Sequence, residues 1–179
     1  MRILALTAAL LLPISANAQC GGSFNAFKKG LKKEAVAKGI KPANADAFLV
    51  GIQKDNKVLK ADRAQGVFQK PFIEFSRRLI SSNRIDAGRK NATRFDSVFD
   101  NIEATYGVNR NVLLAFWAFE TDYGAVQGNF NTANALITLA HDCRRPELFR
   151  PQVFAAIELY AQGGFEPRST TGAWAGEIG

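Results

Sequence analysis

The feature that most constrains the fold is an unbroken apolar run, residues 112–119 (VLLAFWAF), which ends at a carboxylate, Glu120. A helix that is apolar on every face is expected to be buried at the centre of a domain. Burial disfavours the charged form of a carboxyl, and a carboxyl that stays protonated near neutral pH can act as a general acid. The run therefore predicts a central helix that carries a chemically useful Glu120.

Helical periodicity also dominates the rest of the chain, and no convincing alternating strand pattern is found. Residues 95–106 give the clearest apolar stripe, which Gly107 ends, and Asn109 or Asn111 is the expected cap of the helix that follows. Pro42, Pro71 and Pro151 are expected at the starts of further helices. The prediction is one all-α domain without a linker or a repeat. Within each of five further predicted helices the apolar side chains fall on one face; these side chains are Phe24, Phe27 and Leu31, then Ala47, Phe48 and Ile52, then Phe72, Phe75 and Leu79, then Leu136, Leu139 and Ala140, and finally Val153, Phe154, Ile157 and Tyr160.

The first eighteen residues are typical of a secretory signal peptide. Arg2 precedes an apolar stretch that is too short to span a membrane, and residues 16–18 (ANA) resemble a cleavage site. Cleavage after Ala18 leaves residues 19–179 as the mature domain and places it in the periplasm. Gln19 disfavours a lipid anchor on Cys20.

Two cysteines remain after cleavage, Cys20 and Cys143. Export to an oxidising compartment favours a single bridge between them, and the alternative is two unrelated thiols. His141 is the only histidine, and we expect it to be a satisfied residue at a helix end. The sequence holds no further cysteine pair and no histidine cluster, so we expect neither a metal nor a cofactor.

The formal net charge of +7 becomes +6 once Arg2 leaves with the signal peptide. In a cytoplasmic protein this charge would suggest nucleic acid as a partner. Export argues against nucleic acid, and the aromatic residues are patterned as core instead of alternating with basic residues. An anionic polymer of the cell envelope is the expected partner.

Four ordered blocks surround and follow Glu120, and together they resemble one family. The blocks are residues 119–124 (FETDYG), 128–139 (GNFNTANALITL), 144–149 (RRPELF) and 172–179 (GAWAGEIG), and residues 76–80 and 84–89 also fit. The chain resembles the lytic murein transglycosylases of the B type over essentially the whole mature sequence. The resemblance implies a lysozyme-like α-helical catalytic domain.

The resemblance implies that Glu120 is a single general acid and base. Glu120 would protonate the glycosidic oxygen between N-acetylmuramic acid and N-acetylglucosamine. As a carboxylate it would then take the proton from the muramic acid 6-hydroxyl, which closes a 1,6-anhydro ring without water. Asp122 is two residues away and does not share a helix face with Glu120, so we interpret it as a capping residue.

The resemblance also implies substrate contacts. Arg144 and Arg145 match paired arginines that would bind carboxylates of the peptide stems, for which fork-shaped guanidinium groups are suited; a solvated charged loop is the alternative. Tyr123 and Trp174 are candidates for lining the sugar groove, with core packing as the alternative for each.

The chain departs from the family pattern at two positions and in its length. Ala173 replaces a serine whose hydroxyl would contact the acid, and Glu177 replaces a small residue, which places a second carboxyl near the site or in solvent. The sequence stops within the last block, so we expect a fragment. The alternatives to a lytic transglycosylase are a muramidase that uses water and a non-catalytic peptidoglycan-binding remnant.

Overall fold

The structure, a computed structural model, describes residues 20–64 and 66–178, so the expected signal peptide (1–18) lies outside the described residues. Within those ranges the chain forms nine α-helices and one antiparallel pair of two-residue strands, which confirms the all-α prediction. The helices are α1 Phe24–Ala37, α2 Pro42–Leu49, α3 Asn56–Arg63, α4 Phe72–Leu79, α5 Ser82–Arg94, α6 Asp96–Tyr106, α7 Arg110–Thr121, α8 Thr132–His141 and α9 Pro146–Ala161, and the strands are β1 Phe130–Asn131 and β2 Thr171–Gly172.

Short polar side chains begin several of these helices. The Asn109 side chain accepts a hydrogen bond from the Asn111 backbone N–H at 3.0 Å at the start of α7, so Asn109 is the cap of the two that the sequence offered. Ser81 caps α5 in the same way by accepting from the Arg84 N–H at 3.3 Å. Gly107 ends α6 with a left-handed φ of 68°, which glycine adopts at little cost.

The core is built around α8, on which nearly every residue is buried. The small side chains of the buried alanines at positions 133, 135 and 140 let neighbouring helices approach α8 closely. Helices α3 and α9 pack directly on α8, and α1 and α2 complete the layer. The largest apolar side chains without solvent exposure are Leu31, Phe48, Val58, Ile137, Leu139, Val153 and Ile157.

Helix α7 is not the buried central helix that its composition predicted. Only Leu114 and Ala118 are buried on it, where it packs against α5 and α6. Phe116 and Phe119 keep 63% and 50% of their surface exposed, and Glu120 is also exposed. The expectation of a buried Glu120 is therefore wrong, because hydrophobic composition does not distinguish a helix inside the core from one that lines an open surface.

The ninth helix differs from the prediction at its start. Helix α9 begins at Pro146, which lies in the first turn, and continues through Pro151. Pro151 cannot donate to the carbonyl of Glu147, one turn earlier, because proline has no backbone N–H. The helix persists because its inner face, which includes Val153 and Ile157, is fully buried against α8 and α2.

A disulfide joins Cys20 to Cys143, with 5.1 Å between the Cα atoms, which confirms the predicted bridge. Next to it, the Gly21 N–H donates to the His141 carbonyl at 2.7 Å, and His141 Nε2 lies 3.1 Å from the Gly22 carbonyl. These contacts attach the segment before α1 to the end of α8. In the described ranges, no helix combines the length and the apolar character that a membrane span requires.

Candidate active site

Glu120 lies in the last turn of α7, at the edge of a cleft of about 770 Å³. Its lining comes from the end of α7, the loop after α7 and the turn after β2. The cleft is lined by Phe116, Trp117, Glu120, Thr121, Gly124, Val126, Gln127, Gly128, Ala173, Trp174, Glu177 and Ile178. An open cleft with aromatic walls and two carboxylates is suited to a polar ligand that also has apolar faces.

The part of the cleft formed by the turn after β2 is held by close backbone packing. Strands β1 and β2 pair Phe130 with Gly172, which brings the loop after α7 against the turn after β2. The Ala173 N–H donates to the Glu177 carbonyl at 2.8 Å and closes that turn. A Cβ on Gly172 would lie 2.2 Å from the Glu177 carbonyl oxygen, so only glycine fits there. This packing fixes the backbone that carries Trp174 and Glu177.

The turn after Glu120 is held by side-chain contacts to α5. The Thr121 hydroxyl accepts from the Gly124 N–H at 2.9 Å, and Asp122 forms the C-cap of α7 as predicted. Arg84 Nε donates to the Asp122 carboxylate at 2.5 Å, and this hydrogen bond holds the pKa of Asp122 below its ordinary value. None of the hydrogen bonds within the described ranges reaches the Glu120 carboxyl.

Trp174 and Tyr123, the two predicted groove residues, lie in different places. Trp174 lines the same cleft as Glu120. Tyr123 is not among the residues that line this cleft; its hydroxyl donates to the Arg84 carbonyl at 3.0 Å, and its ring packs edge-on against Trp117. Tyr123 instead lines a smaller pocket of about 120 Å³ between α5 and α7. The geometry favours packing for Tyr123, and its contact with substrate stays a prediction.

Arg144 and Arg145 do not line the cleft and both bind the buried Asp62 of α3. Arg144 Nη1 lies 2.7 Å from an Asp62 carboxylate oxygen, and Arg145 forms a second ion pair with the same group. Burial alone would raise the pKa of Asp62, but the hydrogen bonds from Arg144 and Arg145 outweigh burial and hold it below its ordinary value. Their role with peptide stems stays a prediction, alongside this clamp between α3 and the loop after α8.

Several cleft residues were not identified from the sequence. Phe116 and Trp117 belong to the apolar run and were assigned to the core, although a helix-end carboxylate beside two large aromatic residues is itself a signal for a ligand cleft. Glu177, noted only as a departure, lines the cleft together with Glu120. In the described part of the chain, no group of three or more His, Cys, Asp or Glu side chains is placed to hold a metal ion.

Comparison with known proteins gives one family match. The family model described as transglycosylase SLT domain matches residues 23–179. A search of curated proteins found no similar sequence.

Solved structures with the same fold include three bacterial proteins. SltB3 from Pseudomonas aeruginosa, in complex with NAG-NAM-pentapeptide, has a TM-score of 0.80 and 30% identity over 89% of this chain and 42% of that chain. Slt35, the Escherichia coli lytic transglycosylase in complex with bulgecin A, has a TM-score of 0.74 and 21% identity over 95% and 56%. SltB1 from Pseudomonas aeruginosa has a TM-score of 0.72 and 22% identity over 85% and 52%. The chain thus spans about half the length of these proteins, and the expected lysozyme-like helical fold is confirmed.

Proposed function

The chain belongs to the transglycosylase SLT domain family, and from this premise we propose that it cleaves the β-1,4 bond between N-acetylmuramic acid and N-acetylglucosamine in peptidoglycan. The observation that carries the proposal is the position of Glu120 in a cleft walled by Phe116, Trp117 and Trp174. Apolar faces of sugar rings pack well on aromatic side chains, and a carboxyl at the cleft edge can reach a glycosidic oxygen. The peptidoglycan fragment bound by the similar SltB3 supports the same substrate class.

In the proposed reaction Glu120 acts first as an acid and then as a base. Its proton passes to the glycosidic oxygen as the bond to C1 of the muramic acid breaks. The resulting carboxylate accepts the proton of the muramic acid 6-hydroxyl as that oxygen bonds to C1. The products are a 1,6-anhydro end and a free 4-hydroxyl, and the carboxyl returns to its starting state. Because the ring closes on itself, no second carboxylate is required, unlike in most glycosidases.

The substitution Glu120→Gln tests this assignment. Removing a general acid typically lowers the rate by a factor of about 10² to 10⁴. We therefore expect release of anhydro-muropeptides from purified peptidoglycan, measured by liquid chromatography and mass spectrometry, to fall by at least about a hundredfold. Glu158→Gln, an exposed glutamate on α9, is the matched control and should keep wild-type activity. Equal, background-level release from wild type and Glu120→Gln would support a non-catalytic binding domain instead.

A second candidate function, hydrolysis, is favoured by one observation. Glu177 places a second carboxylate in the cleft that contains Glu120. In glycosidases that invert configuration, one carboxyl protonates the leaving oxygen while another activates water. Glu177 could take the second role and give products with reducing ends, each heavier by one water than the anhydro products.

Product masses from wild type and Glu177→Gln distinguish the two reactions. We expect anhydro ends to dominate in both proteins and the total rate to change by less than about threefold, because ring closure needs only the one acid and base. Reducing ends in the wild type that disappear in Glu177→Gln would establish hydrolysis and contradict the transglycosylase assignment.

We place the reaction in the periplasm, where the family's substrate lies, with export through residues 1–18 as part of the proposal.

A further inference from the structure

The backbone directly after Glu120 adopts an unusual conformation. Asp122, Tyr123 and Gly124 are all left-handed, with φ of 47°, 58° and 87°. Glycine adopts this conformation freely, whereas Asp and especially Tyr pay a steric cost. Within the described ranges, Asp122 and Tyr123 are the only residues other than glycine with positive φ. Such outliers persist only where the surrounding structure holds them in place, and they are concentrated at functional sites.

Arg84, on the first turn of α5, holds both outliers. Its Nε donates to the Asp122 carboxylate at 2.5 Å, and its carbonyl accepts from the Tyr123 hydroxyl at 3.0 Å. Arg84 is itself held, because its Nη1 donates to the Leu79 carbonyl at 2.8 Å. Its guanidinium group also lies over the Phe119 ring, with 5.9 Å to the ring centre. Arg84 therefore contacts the residue before Glu120 and the second residue after it.

Helix α5 has a glycine where the Tyr123 side chain packs against it. Gly88 lies one helical turn after Arg84, and a Cβ at this position would approach the Tyr123 hydroxyl oxygen to 2.5 Å. Glycine in the middle of a helix lowers the stability of that helix. The close packing of Tyr123 against α5 explains why a glycine is found at this position. Arg84 and Gly88 thus form a cradle on α5 for the two residues that follow the last turn of α7.

We propose that Arg84 is a positioning residue for Glu120 and acts through Asp122, Tyr123 and Phe119. Neither Arg84 nor Asp122 is among the residues that line the cleft, so the proposed role is indirect. The ion pair fixes the end of α7 and thereby the direction in which the Glu120 carboxyl enters the cleft. The carboxyl has no hydrogen-bond partner of its own in the described ranges, so its orientation depends on the backbone that carries it. This inference rests on the proposed function of Glu120.

Two variants test the proposal, and each removes the ion pair differently. Arg84→Met keeps an apolar stem of similar length and removes the guanidinium group. Asp122→Gly removes the carboxylate and relieves the backbone strain, because glycine accepts a φ of 47° without cost. We expect both variants to lower kcat about tenfold or more, with KM within about twofold, because a small misplacement of a catalytic group costs rate strongly. Arg84→Lys should recover part of the loss.

Asp122→Gly separates positioning from stability. A merely structural role predicts that activity follows the melting temperature, which should stay near the wild-type value in this variant because the relief of strain offsets the loss of a partly exposed ion pair. Arg63→Met is the matched control: Arg63 pairs with Asp142 at 2.7 Å at the end of α8, and its loss should leave kcat within about twofold of wild type.

Three results would overturn the inference. If kcat of Arg84→Met and Asp122→Gly stays near wild type while Glu120→Gln is inactive, the positioning role is wrong and the proposed function stands. If KM rises while kcat is unchanged, Arg84 contributes to substrate binding and not to positioning. If the wild-type chain itself releases no product, the proposed function fails and the inference fails with it.

Discussion

Ala173 lines the same cleft as Glu120 and gives it no hydrogen-bond donor from its side chain. The orientation of the Glu120 carboxyl is then set by the backbone alone, through the end of α7 and the turn that Arg84 holds. The backbone fixes where the side chain starts but not its χ angles, and in the proposed reaction only some rotamers would direct the proton towards the glycosidic oxygen.

The substitution Ala173→Ser should therefore raise kcat. Position 173 lines the same cleft as Glu120, and a serine there would restore the contact with the acid that the family pattern implies. One hydrogen bond contributes about 1 kcal/mol, which corresponds to a rate gain of about fivefold. Steady-state release of soluble muropeptides measures the effect. Ala125→Ser, at an exposed position of the loop after α7, is the control and should leave kcat unchanged. A kcat for Ala173→Ser at or below the wild-type value would show that position 173 does not orient the acid.

At the scale of elements, the segment 141–145 joins distant parts of the chain. Cys143 binds Cys20, Asp142 pairs with Arg63, and Arg144 and Arg145 bind Asp62. These contacts fasten the residues before α1 and the end of α3 to the connection between α8 and α9. They stabilise the packing of α1 and α3 on α8 through covalent and ionic contacts.

Loss of the disulfide should lower stability without changing the cleft. The bridge closes a loop across 123 residues of sequence, and the loss of a native disulfide typically lowers the free energy of unfolding by about 2 to 5 kcal/mol, with long loops towards the upper end. Urea unfolding of Cys20→Ser, Cys143→Ser and the double variant measures the loss. Because either single change already removes the bridge, all three variants should be destabilised by similar amounts. A clearly additive double variant would indicate that the two thiols act separately.

Sequence and structure agree best where a local pattern fixes the outcome. The Asn109 cap, the Gly107 stop and the Asp122 cap follow from short-range chemistry. Helices α3 and α5 were not predicted, although Asp55 and Ser81 cap them, because their apolar stripes are weak. Hydrophobic periodicity could not predict that α7 is exposed, since a helix that lines a cleft and a helix that faces the core have the same apolar composition. The clamp on Asp62 joins residues 82 and 83 positions apart, which no local pattern encodes.

For the molecule as a whole, this clamp predicts how stability depends on pH. Asp62 is 1% exposed, and Arg144 and Arg145 hold its pKa below the ordinary value of an aspartate in the unfolded chain, about 3.9. A group with a lowered folded pKa contributes stability that is fully present above the unfolded pKa and is lost as the pH falls through the folded pKa. The contribution of Asp62 to the free energy of unfolding should therefore be constant near neutral pH and should decline below about pH 4.

Asp62→Asn isolates this contribution, because an asparagine of similar size cannot pair with the two arginines as a charge. We expect the variant to be less stable at pH 7 by about 3 kcal/mol. This is the lower end of the loss that is typical when one partner of a buried ion pair is removed, and it applies because both arginines keep partial access to water. Its free energy of unfolding, measured by urea titration from pH 7 to pH 2.5, should decline less than that of the wild type. Some decline remains, because Asp122 and Glu74 also have lowered pKa values. Parallel curves for the two proteins would show that the charge of Asp62 does not stabilise the fold.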